Sequence, residues 1–293
     1  MIAVTGITGH SGKFFLKQLV DNNYPGALRC LVRESSDTSA LDASGLNIEK
    51  FRGSIDSDAD LERFVSGADT VVHIAGIMKT PRLLAAIERA GGVKHVVLVH
   101  TTGIYSKYKM ASAGYKAVEE DMQQYLGMNI TIIRPTMIFG DLCDHNISKF
   151  IRMVDKLPIM PEIDHGTGPI QPVNARDLGQ AYYKAAMHEQ LPQLEYICSG
   201  ERPLTVHELC ALIGEYLGKK TRFVSFHMGF GVFLAKVLKA VTFGKKDYVE
   251  KMLRLGEDRS FSHEAASRDF GYVPDSFNDG LKREVEEYMK HGK

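Results

Sequence analysis

The first dozen residues constrain this chain more than any other stretch. Ile2-Ala3-Val4 reads as a short buried strand. Thr5-Gly6-Ile7-Thr8-Gly9-His10-Ser11-Gly12 then reads as a glycine-rich turn entering a helix over Lys13 to Val20. Side chains at the glycine positions would forbid the backbone angles or hold a pyrophosphate away. The amides at the start of such a helix bind anions. The spacing Gly-x-x-Gly-x-x-Gly lacks a Gly-Lys-Ser/Thr ending, which argues against an ATPase-type loop. A nucleotide site formed by Gly6, Thr8, Gly9, His10, Ser11 and Gly12 is the expectation, with Lys13 left as a solvated helix residue.

Further along, continuous apolar runs alternate with helical spacing. Strands are predicted at 28–33, 48–52, 69–74, 96–99 and 129–134. Helical patterns lie at 61–65, on the face Leu83, Leu84, Ile87 and Ala90, and over 112–126. Runs of this kind predict an α/β protein, a doubly wound parallel sheet covered on both faces. Right-handed crossovers align the C-terminal strand ends as a ligand-binding edge. Beyond Arg134-Pro135 the pattern loosens into a helix at 147–154, a turn-rich run over 158–172 and a strand edge at 173–176. A helix at 178–187 and a strand at 194–198 follow. Further helices are expected near 205–217, 245–255 and 277–288. The expected division is a dinucleotide-binding domain over 1–200, with 141–168 contributing to a cleft, and a smaller substrate-binding region over 201–293.

At 293 residues there is room for one large core or two joined ones. Thirty-six basic residues balance 36 acidic ones, which gives no support for nucleic-acid binding. No run of 18 apolar residues suggests a membrane span, and the start reads as a core strand, so the expected location is the cytoplasm. The four cysteines lack metal-ligand spacing, and Cys30 and Cys198, in apolar strand-like runs, read as buried thiols; the histidines show no zinc pattern. No metal is expected. The segment 226–243 is unusually apolar: a buried helix, a lid, or a contact with membrane or partner.

Several separated motifs resemble the extended short-chain dehydrogenase/reductase family, which includes NAD-dependent epimerases and dehydratases. They are the glycine-rich turn, Asp56 after the third strand and His73-Ile74-Ala75-Gly76 after the fourth. Lys116-Ala117-Val118-Glu119, Arg134-Pro135-Thr136-Met137-Ile138-Phe139-Gly140 and Gln171 to Leu178 follow in the family's order. Tyr196 to Gly200, Leu204-Thr205 and Phe270-Gly271-Tyr272-Val273-Pro274 complete it. The resemblance covers nearly the whole chain and implies a Rossmann-type fold, an NAD or NADP cofactor and a cleft between two regions. It also implies cofactor contacts from Asp56 near adenine, from Ala75 and Gly76, and from Pro135, Thr136 and Met137.

The same resemblance exposes a departure. Thr101 matches the family's hydroxyl after the fifth strand, and Lys116 its ribose-holding lysine. Four residues before that lysine the family has a tyrosine; here it is Ser112. A serine hydroxyl is shorter and far harder to deprotonate than a phenol with a pKa of about 10. Tyr108, Tyr105 and His100 are the substitutes to consider as proton donors, in that order for the tyrosines. Tyr115 points about 100° away from Lys116 on a helix. At the second strand edge, Arg33 with Ser35 and Ser36 predicts NADP over NAD, opposed by Glu34.

Three function readings follow. The first is an NADP-linked oxidoreductase acting on a carbonyl or alcohol. The second is a sugar-nucleotide epimerase or dehydratase. The third is a non-catalytic NADP-binding regulator or assembly subunit, with 226–243 as a partner or homodimer surface.

Overall fold

The computed structural model describes residues 1–242 and 247–291. Seven strands form one parallel sheet: β1 (Ile2–Thr5), β2 (Leu28–Val32), β3 (Ile48–Arg52), β4 (Thr70–His73), β5 (His95–Val99), β6 (Ile130–Pro135) and, late in the chain, Glu195–Cys198. Numbered with the short strands β7 (Ile138–Phe139), β8 (Met160–Ile163), β9 (Pro169–Ile170) and β10 (Val173–Asn174), that last one is β11. The order is β11-β6-β5-β4-β1-β2-β3, so the chain reverses direction across the sheet between β1 and β4. Such a switch point opens a crevice beyond the strand ends, where ligands bind in open α/β sheets.

Alternation along each strand sorts side chains to two faces. Val4, Cys30, Val72, Val97 and Ile133 face one core with α1 (Gly12–Asp21) and a later helix, Ala175–Met187. Ala3, Leu31, Val71, Val96 and Ile132 face the other. That second core takes in α3 (Asp58–Val65), α4 (Thr80–Ala90) and α5 (Lys109–Asp121); a single-turn helix α2 (Ser39–Asp42) precedes them. With α6 (Ile147–Lys156) between, the helix Ala175–Met187 is α7. It packs closely on α1: a Cβ on Gly179 would stand 2.5 Å from the Phe14 carbonyl carbon.

A separate region completes the molecule: β12 (Leu204–Thr205), α8 (Val206–Tyr216), β13 (Phe223–Phe226), α9 (Met228–Val241), α10 (Val249–Leu253), α11 (Glu264–Phe270) and α12 (Phe277–His291). A third core joins Ile147, Ile151, Met160 and Ile170 to Leu209, Ile213, Leu281 and Val285. The chain also returns to the sheet, since Ala266, Phe270 and Tyr272 lie in the first core. All four cysteines are unpaired thiols, and Cys143 is exposed.

The structure departs from the sequence reading in three places. Helix α5 starts at Lys109, ahead of the expected 112, and ends in a 3₁₀ turn over Met122–Tyr125. The turn-rich run 158–172 contains β8, which pairs in parallel with β13, and β9, which pairs with β12. The helix expected near 245–255 is α10, followed by a turn over Arg254–Gly256; residues 245 and 246 lie outside the described residues.

Candidate cofactor and substrate site

The glycine-rich turn closes on itself at the end of β1. Gly6 has φ +77°, and a Cβ there would stand 2.7 Å from the amide nitrogen of Ala75. A Cβ on Gly12 would run into the Gly6 carbonyl oxygen. The Gly9 amide donates to that same carbonyl at 3.0 Å. Only glycine fits these contacts, and Thr8 and Gly9 remain exposed at the tip. Ser11 is buried and accepts from the Tyr182 hydroxyl at 3.3 Å. Lys13 is exposed, in line with the expectation of a solvated helix residue, and its ammonium is ion-paired to Asp141. His10 Nδ1 lies 3.4 Å from Asp141, while its Nε2 is buried without a partner among the described residues. This turn has the shape and exposed backbone that a pyrophosphate requires.

Ala75 and Gly76 are exposed beyond β4, and Gly76 has φ +103°. The Thr5 hydroxyl and His73 Nδ1 are 2.7 Å apart and tie the ends of β1 and β4 together. Asp56 is exposed and ion-paired to Lys79, whose hydrogen bond lowers the Asp56 pKa. At the end of β2, Arg33 and Ser35 are exposed; the Arg33 amide donates to Ser36 Oγ at 3.2 Å. Glu34 on this turn pairs with Arg52 at 3.3 Å.

A cavity of about 400 Å³ opens beyond β5 and β6. One wall holds Thr101, Tyr105, Tyr115, Thr136 and Met137. The opposite wall is the segment 254–261, with Arg254, Glu257, Arg259 and Phe261. Two buried polar groups pin that segment. Glu257 accepts from the Ser106 hydroxyl at 2.9 Å and the Lys107 amide at 2.9 Å. Gln171 accepts from the Phe261 amide at 2.8 Å and donates to the Gly200 carbonyl at 2.8 Å.

Thr101 accepts from the Gly103 amide at 3.0 Å, which leaves its hydroxyl proton free to donate. Thr136 donates to the Gln171 carbonyl, and Pro135 accepts from Thr102 at 3.1 Å. Ser112 is buried and its hydroxyl donates to the Tyr108 carbonyl at 3.1 Å, so it is spent on the first turn of α5. Tyr108 is the N-cap residue of α5; its phenol donates to the Leu253 carbonyl at 3.3 Å, and it does not line the cavity. Lys116 is exposed and does not line it either.

His100 faces inward. Its Nδ1 is 2.9 Å from Glu119, and its Nε2 is 3.1 Å from the Thr80 hydroxyl. Burial lowers its pKa, against the opposing pull of Glu119. Arg134, 2% exposed, joins Glu119 to Glu195 through donors at 2.5–2.8 Å. Burial would raise the Glu119 pKa, but hydrogen bonds from His100 and Arg134 prevail and hold it at about 2. Tyr105 lines the cavity and donates to Glu195 at 2.7 Å; burial and that carboxylate push its phenol up to about 12. This network anchors α5 to β5, β6 and β11.

Tyr115, set aside in the sequence reading, and Arg259, which that reading did not single out, both line the cavity. Tyr115 reaches the cavity because the 3₁₀ turn Thr102–Tyr105 crosses it: a Cβ on Gly103 would be 3.0 Å from its ring. Arg259 is partly buried, its Nε has no partner, and it forms no ion pair among the described residues. Burial lowers its pKa, and the neighbouring Arg254 adds to the effect. Arginine nevertheless stays charged.

Residues 1–239 match the model of the NmrA-like family. The chain belongs to that family. The NmrA-like chain is 24% identical over 174 residues to a ceramide reductase of Caulobacter vibrioides, a match covering 55% of this chain. It spans about half of that relative's length, 53%. Among solved structures, gox2253 has a TM-score of 0.82 at 16% identity, covering 100% of this chain and 98% of the other. DesIV, a dTDP-glucose 4,6-dehydratase from Streptomyces venezuelae, gives 0.72 at 21%, covering 99% and 97%. MoeE5 gives 0.72 at 16%, covering 100% and 99%. At these identities the likeness shows a shared Rossmann-type fold.

These structures correct the NADP preference drawn from Arg33, Ser35 and Ser36. DesIV was solved with NAD and TYD, and MoeE5 with UDP-glucose and NAD. The physical reason lies on the β2 turn. Glu34 keeps a carboxylate on this turn, paired with Arg52, and Ser36 Oγ accepts from the Arg33 amide. A carboxylate on this turn repels a ribose phosphate and can accept from the ribose hydroxyls of NAD.

Proposed function

We propose that this chain is an NAD-linked enzyme of the epimerase and dehydratase type, acting on an anionic, sugar-nucleotide-like substrate. The observation that carries the reading is Arg259, a cation with a buried, unpartnered Nε on the wall of a cavity that also holds Thr101 and Thr136. A buried guanidinium N–H without a partner is costly, even with Glu257 nearby to favour the charge, and a ligand phosphate oxygen offsets that cost. The molecules bound to DesIV and MoeE5, TYD and UDP-glucose, support the same chemical class.

NAD, when bound, supplies the hydride acceptor and donor. In this reading the turn Gly6, Thr8, Gly9, His10, Ser11 and Gly12 holds the pyrophosphate. Asp56, Ala75 and Gly76 flank the adenosine side, and Pro135, Thr136 and Met137 the nicotinamide side. Lys116 contacts the ribose. Thr101 donates its free hydroxyl proton to the substrate oxygen. Tyr115 replaces the missing family tyrosine as the hydroxyl beside it, because the Tyr108, Tyr105 and His100 side chains are each engaged elsewhere.

Calorimetric titration tests the reading. NAD should bind the wild type, and UDP-glucose or dTDP-glucose should bind the NAD-loaded protein. Arg259→Met should weaken sugar-nucleotide binding at least tenfold and leave NAD binding unchanged. Equal sugar-nucleotide affinity in both proteins would reject it. A second reading, reduction of a carbonyl on a membrane lipid, is favoured by the ceramide reductase match. Oxidation of NADH with ceramide-type ketones, and none with sugar nucleotides, would select it.

A further inference from the structure

Helix α9 is built inside out. Its small residues Gly231 and Ala235 are buried, and a Cβ on Gly231 would meet Ile163 at 3.1 Å and Met252 at 3.3 Å. Its large residues point outward: Phe230 is 48% exposed, Phe233 59%, Leu234 49%, Val237 42% and Val241 70%. At 100° per residue these fall in one stripe about 100° wide. Phe226 extends it, stacked on Phe230 with ring centroids 5.8 Å apart. A helix in contact only with water has the reverse arrangement. An apolar patch of this kind marks a surface that something covers.

The charge of this part of the sequence says what. From Phe226 to Lys246 the sequence has four lysines, at 236, 239, 245 and 246, and no aspartate or glutamate. Lys239 pairs with Asp247. Lys236 lies at the border of the apolar stripe and has no ion-pair partner among the described residues. A second copy on a two-fold axis would set one lysine-bearing face against another, with Asp247 already taken by Lys239. An anionic lipid surface instead offers an apolar layer for the stripe and negative charge for the lysines.

We propose that α9 docks this protein on the surface of an anionic bilayer, lying in the plane of the interface. Its 14 residues are too few to cross, and no helix of the described residues is long and apolar enough to do so. Helix α10 packs against α9 and leads directly into Arg254 on the cavity wall, so docking brings that wall toward the lipid surface. The proposal does not depend on which substrate the cavity takes.

Co-sedimentation with vesicles tests it in the absence of any substrate. The whole protein should bind phosphatidylcholine vesicles containing 30% phosphatidylglycerol about tenfold more tightly than pure phosphatidylcholine vesicles. The double variant Phe233→Glu, Val237→Glu should lose binding to both. Both positions are exposed, so an unchanged melting temperature should show that the fold is kept. Lys236→Glu should weaken binding to the anionic vesicles about tenfold and leave binding to neutral ones unchanged. Wild type that fails to sediment with anionic vesicles overturns the proposal. So does a wild-type dimer, without vesicle binding, that the double variant converts to monomer.

Discussion

Glu284 on α12 lets stability be predicted as a function of pH. It is fully buried; one carboxylate oxygen accepts from the Gly140 amide at 3.0 Å, and the protonated carboxyl has Asp144 as a hydrogen-bond partner. Burial, with Asp144 beside it, raises its pKa from an ordinary 4.5 to about 10. Between those values the folded chain binds one proton more than the unfolded chain. Its contribution to stability is therefore fully present below pH 4.5 and declines as pH rises toward 10. Each unit costs about 1.4 kcal/mol, so holding that proton at pH 7 costs about 3 kcal/mol. Glu284→Gln keeps an oxygen for Gly140, gives Asp144 an amide donor and removes the titrating proton. Guanidinium denaturation at pH 5, 7 and 8 should show wild type weakening with pH. The variant should have a flatter profile and be more stable at pH 8 by roughly 1–3 kcal/mol. A variant less stable than wild type at pH 8, or parallel pH profiles, would refute the reasoning.

Arg134→Met should lower stability by about 3 kcal/mol, because it leaves half-buried Glu119 with His100 alone, and adding Glu119→Gln should restore part of that in the same denaturation assay. Gly12→Ala should lower the melting temperature and abolish NAD binding by calorimetry, since its Cβ meets the Gly6 carbonyl; retained affinity would show that the turn does not hold the cofactor. Lys116→Ala should weaken NAD binding at least tenfold with an unchanged melting temperature, while Ser112→Ala should leave affinity within about twofold and cost about 1 kcal/mol for its buried hydrogen bond.

The parallel sheet was legible because its strands are buried on both faces and read as unbroken apolar runs; Val71-Val72 and Val96 to Val99 could hardly be read otherwise. The glycine-rich turn was legible because its constraint is steric and local: the Gly12 carbonyl clash involves residues six positions apart. The strands β8 and β13 were not, since Pro161 and Glu162 interrupt any apolar signal and their pairing partner lies some 60 residues away. Arg259 has the same difficulty: nothing around it distinguishes a cavity wall from a solvated loop. Glu284 sits in an amphipathic tail where a carboxylate reads as solvated, and only the packing of α12 under Gly140 buries it. Tyr115 was set aside because its angle was measured from Lys116, whereas the cavity is defined by the turn over Thr102–Tyr105 on another side of the helix.

Ser112 connects these points. A tyrosine at that buried position would need room for a ring where the structure provides a pocket for one hydroxyl, donating back to Tyr108. The small side chain lets α5 begin at Lys109 and sets Tyr108 at its N-cap, with its phenol against the 253–254 turn. Downstream on the same helix, the contacts of Glu119 with His100 and Arg134 fix the rotation that leaves Tyr115 facing the cavity. Reintroducing the family residue as Ser112→Tyr therefore tests position and chemistry together. If α5 is as tightly held as its hydrogen bonds imply, the ring cannot enter without moving the first turn, and stability should fall by about 1–3 kcal/mol. Unchanged stability with a gain in turnover would show that the position still belongs to the reaction, and that Tyr115 does not.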